Sequence, residues 1–192
     1  AEKWMQRGVS AGDIMVLVRR RTRFVQYLSR ALKRKNIPVA GVDRMNLLDS
    51  LAVQDLLAFA QILLFPEDDL TLAALLKSPL FGISEDELFT LCHGRKISLW
   101  QAISGSKAHA LLSEFRAKVD FISPYALFAE LLDARGFRRA FTGRMGEETH
   151  EVLDVFLEQT LLYEQSGAAS MQGFIAWITA GESEIKRDME AA

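Results

Sequence analysis

The first 42 residues carry the pattern of two parallel strands joined by a helix. A short, almost continuous apolar run at 13–19 (DIMVLVR) is typical of a strand buried on both faces of a sheet. Residues 22–36 then place apolar side chains at helical spacing with a basic outer face, and residues 37–42 (IPVAGV) return to strand chemistry. Because parallel strands need neighbours to complete a sheet and no clear strand follows, we expect an incomplete βαβ unit here.

From Asp43 onward the sequence shows helical patterns. The segment 50–65 is apolar nearly all round and predicts a central helix that ends at Pro66. The next helix opens with acidic residues at 67 and stops before Pro79. Further helices are expected at 84–94, 98–104, 106–122, 123–137, 147–167 and about 170–189. The predicted fold is therefore mainly α, with a short incomplete βαβ unit in residues 1–42 and a helical domain in residues 43–192.

Composition excludes several classes of function. The formal net charge of −2 gives no overall attraction to nucleic acid or to an anionic membrane, so such binding would need a local patch. No apolar run is long enough to span a bilayer, and we expect no membrane partner. The single cysteine, Cys92, excludes an intramolecular disulfide and fits a reducing cytoplasm. The first residue is alanine, which suggests a piece of a longer protein.

The sequence also lacks the common catalytic constellations. His93, His109 and His150 are scattered without metal-ligand spacing, so no metal site is predicted. Neither GxSxG nor the phosphate loop GxxxxGK[ST] occurs, and the chain alone should not hydrolyse ATP. The acidic groups at 68–69, 85–87 and 147–148 stand where helices begin, and their expected role is to complement the helix dipole.

A basic segment follows the first predicted strand. Residues 14–42 contain no acidic residue, and Arg19, Arg20, Arg21 and Arg23 stand at or just beyond the strand's carboxyl end. Ligands of open α/β sheets bind at that edge, and the planar guanidinium fork suits phosphate oxygens. The alternative is a solvated basic loop.

The stretch 77–88 (KSPLFGISEDEL) places a glycine directly before a helix start. Such a glycine lets another backbone approach, and the first N–H groups of a helix attract an anion, so this stretch is a candidate phosphate contact. The alternative is a buried corner in which Leu80 or Phe81 packs on the following helix.

The order of these elements resembles the UvrD/Rep/PcrA-like helicases of superfamily 1, and most closely the AddA-type helicase-nuclease subunits. The resemblance runs from residues 12–88 through LLDARGFRRAF and LDVFLEQTLLYEQ to GFIAWITAGESEIKRDMEAA, which is nearly the whole chain. It implies that residues 1–42 open the second RecA-like helicase domain and that residues 43–192 are the helical accessory 2B domain. The sheet partners of the first unit would then lie outside this chain.

The resemblance also implies a function. The intact protein would be an ATP-dependent DNA helicase, with probable exonuclease activity, for double-strand-break repair and recombination in the bacterial cytoplasm. It would use ATP and Mg²⁺, bind duplex and single-stranded DNA, and pair with an AddB-type subunit. The chain itself would hold no cofactor and no complete active site. The alternatives are a helical protein-interaction module and a stand-alone DNA-binding domain.

Several residues match positions with known roles in that family. Arg19 stands where an arginine meets the γ-phosphate of ATP, and Val18 stands where many members have an adenine-stacking tyrosine. Residues 82–84 stand where those members have a Gly-Ile-Gly turn that touches the duplex backbone, with serine in place of the second glycine. The residues expected to contact DNA are therefore Lys77, Gly82, Ile83 and Ser84, with a possible basic patch at Arg20, Arg21 and Arg23. Arg44 also matches an arginine near the domain junction, without an assigned role.

Overall fold

The structure is a computed structural model that describes residues 8–17, 28, 31–32, 35, 37, 47–167 and 170–190. The chain divides into two compact units, residues 1–45 and residues 46–192. Most of the described residues belong to the second unit.

The described part of the first unit differs from the sequence prediction. A 3-10 turn spans Ala11–Asp13, and residues 14–17 are not part of a strand. Met15 is 81% exposed and Leu17 is 86% exposed, so these residues are not the predicted strand buried on both faces. An apolar segment becomes a buried strand only where neighbouring strands pair with its backbone groups. Leu28, Ala31 and Leu32 are helical, as the pattern at 22–36 predicts, and the other residues of the predicted βαβ unit lie outside the described residues.

The second unit is helical. A 3-10 turn at Leu47–Asp49 precedes the helices, which are α1 (Leu51–Leu64), α2 (Asp69–Lys77), α3 (Glu85–Cys92), α4 (Leu99–Ala102), α5 (Lys107–Arg116), α6 (Pro124–Ala129), α7 (Phe137–Met145), α8 (Thr149–Gln165) and α9 (Met171–Glu190). A single π-helical turn, Glu130–Ala134, continues α6. The described residues contain no strand, and the predicted mainly α fold is confirmed.

Helix α1 is central to the second unit. It contacts α2, α5, α8 and α9, and its side chains are buried around most of its circumference, including Val53, Leu56 and Phe59. This burial confirms the central position predicted from its apolar sequence, because a helix that is apolar all round needs neighbours on every side.

Aromatic side chains join α6, α8 and α9. The rings of Phe128 and Phe156 meet edge to face with centroids 4.9 Å apart, and the ring of Phe174 lies 5.8 Å from that of Phe156. All three side chains are fully buried. Such pairs add about 0.5–1.5 kcal/mol each beyond the burial of their surface, so this cluster fixes the last helices of the chain on α6.

Side-chain caps set most of the helix starts. Ser84, Ser98, Ser106 and Ser123 each accept a hydrogen bond from a backbone N–H group in the first turn of the helix that follows. A cap of this kind contributes about 1 kcal/mol. The recurrent serines therefore explain why the helix starts could be placed from the sequence.

Within the described part of the chain, no helix combines the length and the apolar character needed to cross a membrane.

Candidate nucleic-acid interface

The candidate DNA contact, residues 77–84, forms a tight turn between α2 and α3. Gly82 has φ of +64°, in the left-handed region that side chains rarely adopt. A Cβ atom at this position would meet no atom within 4 Å, so the backbone angle and not crowding requires the glycine. Gly82 and Ser84 are both exposed, which leaves this turn open to a ligand.

Three consecutive carbonyl groups at the end of α2 hold this turn. The carbonyl oxygen of Leu76 accepts from the N–H of Ile83 at 2.9 Å, and that of Ser78 accepts from the N–H of Gly82 at 2.8 Å. Between them, the carbonyl oxygen of Lys77 accepts from Nη1 of Arg144 at 2.8 Å. The N–H groups of Gly82 and Ile83 are thus used inside the protein, and they are not free to bind a phosphate.

Ser84 begins α3 with a capping box. Its hydroxyl oxygen accepts from the N–H of Glu87 at 3.3 Å, and its own N–H donates to Oε2 of Glu87 at 2.8 Å. The backbone N–H and the hydroxyl of Ser84 both donate to this carboxylate and hold the pKa of Glu87 below its usual value. The box satisfies two of the first-turn donors and leaves the N–H groups of Glu85 and Asp86 for an external anion.

Charges around the turn largely cancel. The ammonium group of Lys77 forms an ion pair with Glu85, and the carboxylates of Asp86 and Glu87 are also exposed at the start of α3. These acids favour the helix dipole but oppose the approach of a nucleic-acid phosphate. Lys77 therefore brings no uncompensated charge to the turn while it stays paired.

Arg144, at the end of α7, is a cation that the sequence prediction missed. Its guanidinium is exposed, and among the described residues it forms no ion pair. Its charge acts on Asp55 in α1: burial raises the pKa of Asp55 to about 6, while the nearby Arg144 charge lowers it. The arginine reaches the turn through tertiary structure, so no local sequence signal could have identified it.

The alternative interpretation of this stretch, a buried corner, also holds. Leu80 is 5% exposed and belongs to the core, and its N–H donates to the hydroxyl oxygen of Ser78 at 3.2 Å. Phe81 and Ile83 are partly buried and pack against the same core. One turn thus places Leu80 inside and Gly82 and Ser84 outside, so a buried corner and an exposed surface coexist.

The other sequence-predicted residues fall into two groups. Arg19, Arg20, Arg21 and Arg23 lie outside the described residues. Among the residues that are described, no three His, Cys, Asp or Glu side chains form a group that could hold a metal ion. His93 stacks on Phe89 with ring centroids 4.8 Å apart, and His109 packs on Trp100 at 4.8 Å.

The acidic pair before α2 does more than complement a helix dipole. Asp68 caps α2 by accepting from the N–H of Thr71 at 3.1 Å, as expected. Asp69 instead pairs with Arg95 and accepts from the N–H of Leu99 at 2.7 Å, at the start of α4. The hydrogen bond from Arg95, with that from Leu99, holds the pKa of Asp69 below its usual value. Asp69 therefore links two helix starts and has a structural role.

The helical fold and these contacts agree with the comparison to known families. Residues 1–121 match the model of the UvrD-like helicase C-terminal domain. This match covers more than half of the chain, and the chain therefore belongs to the UvrD-like helicase C-terminal domain family. The family expected from the sequence is confirmed.

Three curated relatives share one name, that of the AddA subunit of an ATP-dependent helicase/nuclease. The protein from Ruminiclostridium cellulolyticum is 26% identical over 201 residues, which cover 97% of this chain and 16% of the relative. That from Levilactobacillus brevis is 28% identical over 210 residues, with the same two shares. A Streptococcus pneumoniae protein (strain D39) is 40% identical over 87 residues, which cover 45% of this chain and 7% of the relative. The chain thus spans 16% of the length of the first two relatives.

Proposed function

We propose that the chain is part of an ATP-dependent DNA helicase-nuclease subunit that acts in double-strand-break repair and recombination. The observation that carries this proposal is the alignment of 97% of the chain with relatives named as the AddA subunit of an ATP-dependent helicase/nuclease. The motor activity belongs to the whole protein, because this chain lacks the phosphate loop needed to bind and hydrolyse ATP.

Within that protein, residues 1–42 open the second RecA-like domain and residues 43–192 form the helical 2B domain. The division of the chain into compact units after Met45 supports a boundary close to this position. The nine helices described after residue 46 support an all-α accessory domain.

Arg19 is the ATP-contacting residue of this proposal, with ATP and Mg²⁺ bound in the whole protein. A guanidinium that meets the γ-phosphate stabilises the charge that develops during phosphoryl transfer. The support for Arg19 is its place in the family pattern, at the end of the apolar run 13–19. Arg20, Arg21 and Arg23 add positive charge beside it.

The turn at residues 82–84, with Lys77, contacts the backbone of duplex DNA. Its support is the exposure of Gly82 and Ser84 and the first-turn N–H groups that the capping box leaves free. Such contacts position DNA without reading its sequence. Single-stranded DNA would be moved by the motor domains, and an AddB-type subunit in the bacterial cytoplasm would complete the complex.

Fluorescence anisotropy with a labelled duplex oligonucleotide tests the DNA-binding proposal. We expect the 192-residue chain to bind weakly, with an affinity that falls steeply as salt rises, because phosphate contacts release counterions. The same preparation should show no ATPase activity above background. Undetectable binding at low ionic strength, or binding that salt leaves unchanged, would support a protein-interaction module in its place.

A further inference from the structure

We propose that Arg144 is a second backbone-phosphate ligand of duplex DNA, contributed by α7 and held beside the turn at residues 82–84. The inference rests on the proposed function, since it extends the DNA contact of that turn. It adds a residue that the family pattern at 77–84 does not include.

The main-chain geometry places Arg144 at the turn. Its guanidinium is bonded to the carbonyl of Lys77, while Ile83 and Gly82 are bonded to the carbonyls on either side, at Leu76 and Ser78. A phosphate that reaches the exposed face of Gly82 therefore approaches the end of α2, to which Arg144 is attached.

The charge of Arg144 remains available to a ligand. Three arginines of the second unit, Arg95, Arg135 and Arg138, each form ion pairs with carboxylates. Arg144 donates instead to a neutral carbonyl oxygen, and its sequence neighbours in α7 leave it exposed. A neutral acceptor fixes the side chain without cancelling its charge, in contrast to Lys77, which is paired with Glu85.

The chemistry of the guanidinium fits a phosphate. It has five N–H donors in a fixed plane, and the bond to Lys77 uses one side of that fork. The remaining donors suit two phosphate oxygens at once. Because the side chain is already held, less rotamer freedom is lost on binding than for a mobile arginine.

Two other arginines serve as matched controls. The side chains of Arg116 and Arg139 are exposed, and no hydrogen bond or ion pair holds them among the described residues. Arg139 is also in α7, so an Arg139→Gln variant makes the same change in charge on the same helix. It differs from Arg144 in having no attachment to the end of α2.

The test compares DNA binding of Arg144→Gln, Arg139→Gln and the unchanged chain, with a labelled duplex at several salt concentrations. Glutamine keeps an amide donor for the Lys77 carbonyl but removes the charge. We expect Arg144→Gln to weaken binding and to lower the slope of log affinity against log salt by about 0.9. The loss of affinity between about 50 and about 200 mM salt should then be about threefold smaller than in the unchanged chain. Arg139→Gln should leave that slope unchanged.

Two further measurements separate the possible outcomes. Arg144→Lys keeps the charge and should keep the salt slope, and thermal unfolding shows whether each variant is folded. If the unchanged chain binds with a salt-dependent affinity and Arg144→Gln matches it, Arg144 is only a cap for α2 and this inference fails alone. A loss of binding in Arg144→Lys as large as in Arg144→Gln also overturns it. If the unchanged chain does not bind duplex DNA, the proposed function fails together with it.

Discussion

The Nη1 atom of Arg144 lies 2.8 Å from the carbonyl oxygen of Lys77 and joins two helices that are 67 residues apart in the sequence. The bond closes α7 onto the end of α2, next to the turn that leads into α3. It also brings a cation near Asp55, a partly buried acid of α1. The charges of this region therefore affect both stability and DNA binding, and the two effects can be measured separately.

Asp55 should make the stability of the chain depend on pH. Its pKa is raised from 3.8 to about 6 by burial, so the folded state binds the proton more tightly than the unfolded state. The stabilisation from the protonated carboxyl is complete below about pH 4 and is lost as the pH rises through about 6. We expect Asp55→Asn to raise the free energy of unfolding by about 1 kcal/mol at pH 8, and by almost nothing at pH 4.

Chemical denaturation at the two pH values measures this difference. Glu158→Gln is the control, because it removes one exposed carboxylate from α8. A gain in Asp55→Asn that is equal at both pH values would mean that ionisation of Asp55 is not its cause.

Gly173 should not tolerate alanine, although it lies in a helix. A Cβ atom there would overlap the hydroxyl of Tyr163 and would come within 2.8 Å of the hydroxyl oxygen of Ser170. Tyr163 is 4% exposed and packs between Phe174 and Trp177, so its ring has little room to move. We expect Gly173→Ala to lower the free energy of unfolding by about 1–3 kcal/mol, as overpacking does in other cores.

Gly143 provides the matched control for Gly173. It is also helical, and a Cβ atom there would meet no atom within 4 Å. Gly143→Ala should stabilise the chain by up to about 1 kcal/mol through helix propensity alone. Adding Tyr163→Phe to Gly173→Ala should recover part of the loss. Equal effects of alanine at both glycines, in thermal unfolding, would rule out the clash with Tyr163.

The cap at Ser84 should contribute to stability independently of DNA. Ser84→Ala removes the hydroxyl that accepts from the N–H of Glu87, at an expected cost of about 1 kcal/mol, whereas Ser84→Gly should cost only a few tenths. The lowered pKa of Glu87 means that its bonds to Ser84 stabilise the fold above the ordinary pKa of 4.5 and weaken as the pH falls. The difference between Ser84→Ala and the unchanged chain, measured by denaturation, should therefore shrink in acid. A constant difference would assign the loss to the hydroxyl alone.

Arg19 tests the nucleotide part of the proposed function. In the complete helicase, Arg19→Ala should lower the ATPase kcat by about 10³-fold or more, because a guanidinium on the γ-phosphate acts mainly in the transition state. The thermal stability should stay close to that of the unchanged enzyme. Arg116→Ala removes the same charge from an exposed position of α5 and should leave kcat unchanged. A normal kcat in Arg19→Ala would remove the catalytic role.

Strong local signals explain which elements of the fold were predicted. The serines before α3, α4, α5 and α6 fixed their starts, and the apolar sequence of α1 fixed its central place. The helix predicted at 106–122 ends earlier, at Arg116, because the chain turns there and buries Val119 from a separate direction. Helix α7 was missed: it starts after a left-handed Gly136, buries only Phe141 and contains Gly143, so its apolar pattern is weak.

The candidate site was predicted only where its residues are close in sequence. The serine cap and the open glycine at 82–84 follow from local composition. The partners that define the site's charge, Arg144 near Lys77 and Asp69 beside Leu99, are set by tertiary packing. No period or motif connects positions 67 or 30 residues apart, so these contacts required the structure.

The three carbonyls at the end of α2 have a consequence for sequence change. Every residue except proline or glycine offers the same acceptor with the same backbone shape, so side chains at 76–78 can be exchanged, within the limits of burial, without moving the turn. The donors are less replaceable, since Gly82 needs its left-handed angle and position 144 needs a long side chain with a terminal N–H. Distant relatives could therefore keep this DNA-facing geometry while sharing almost none of the residues that support it.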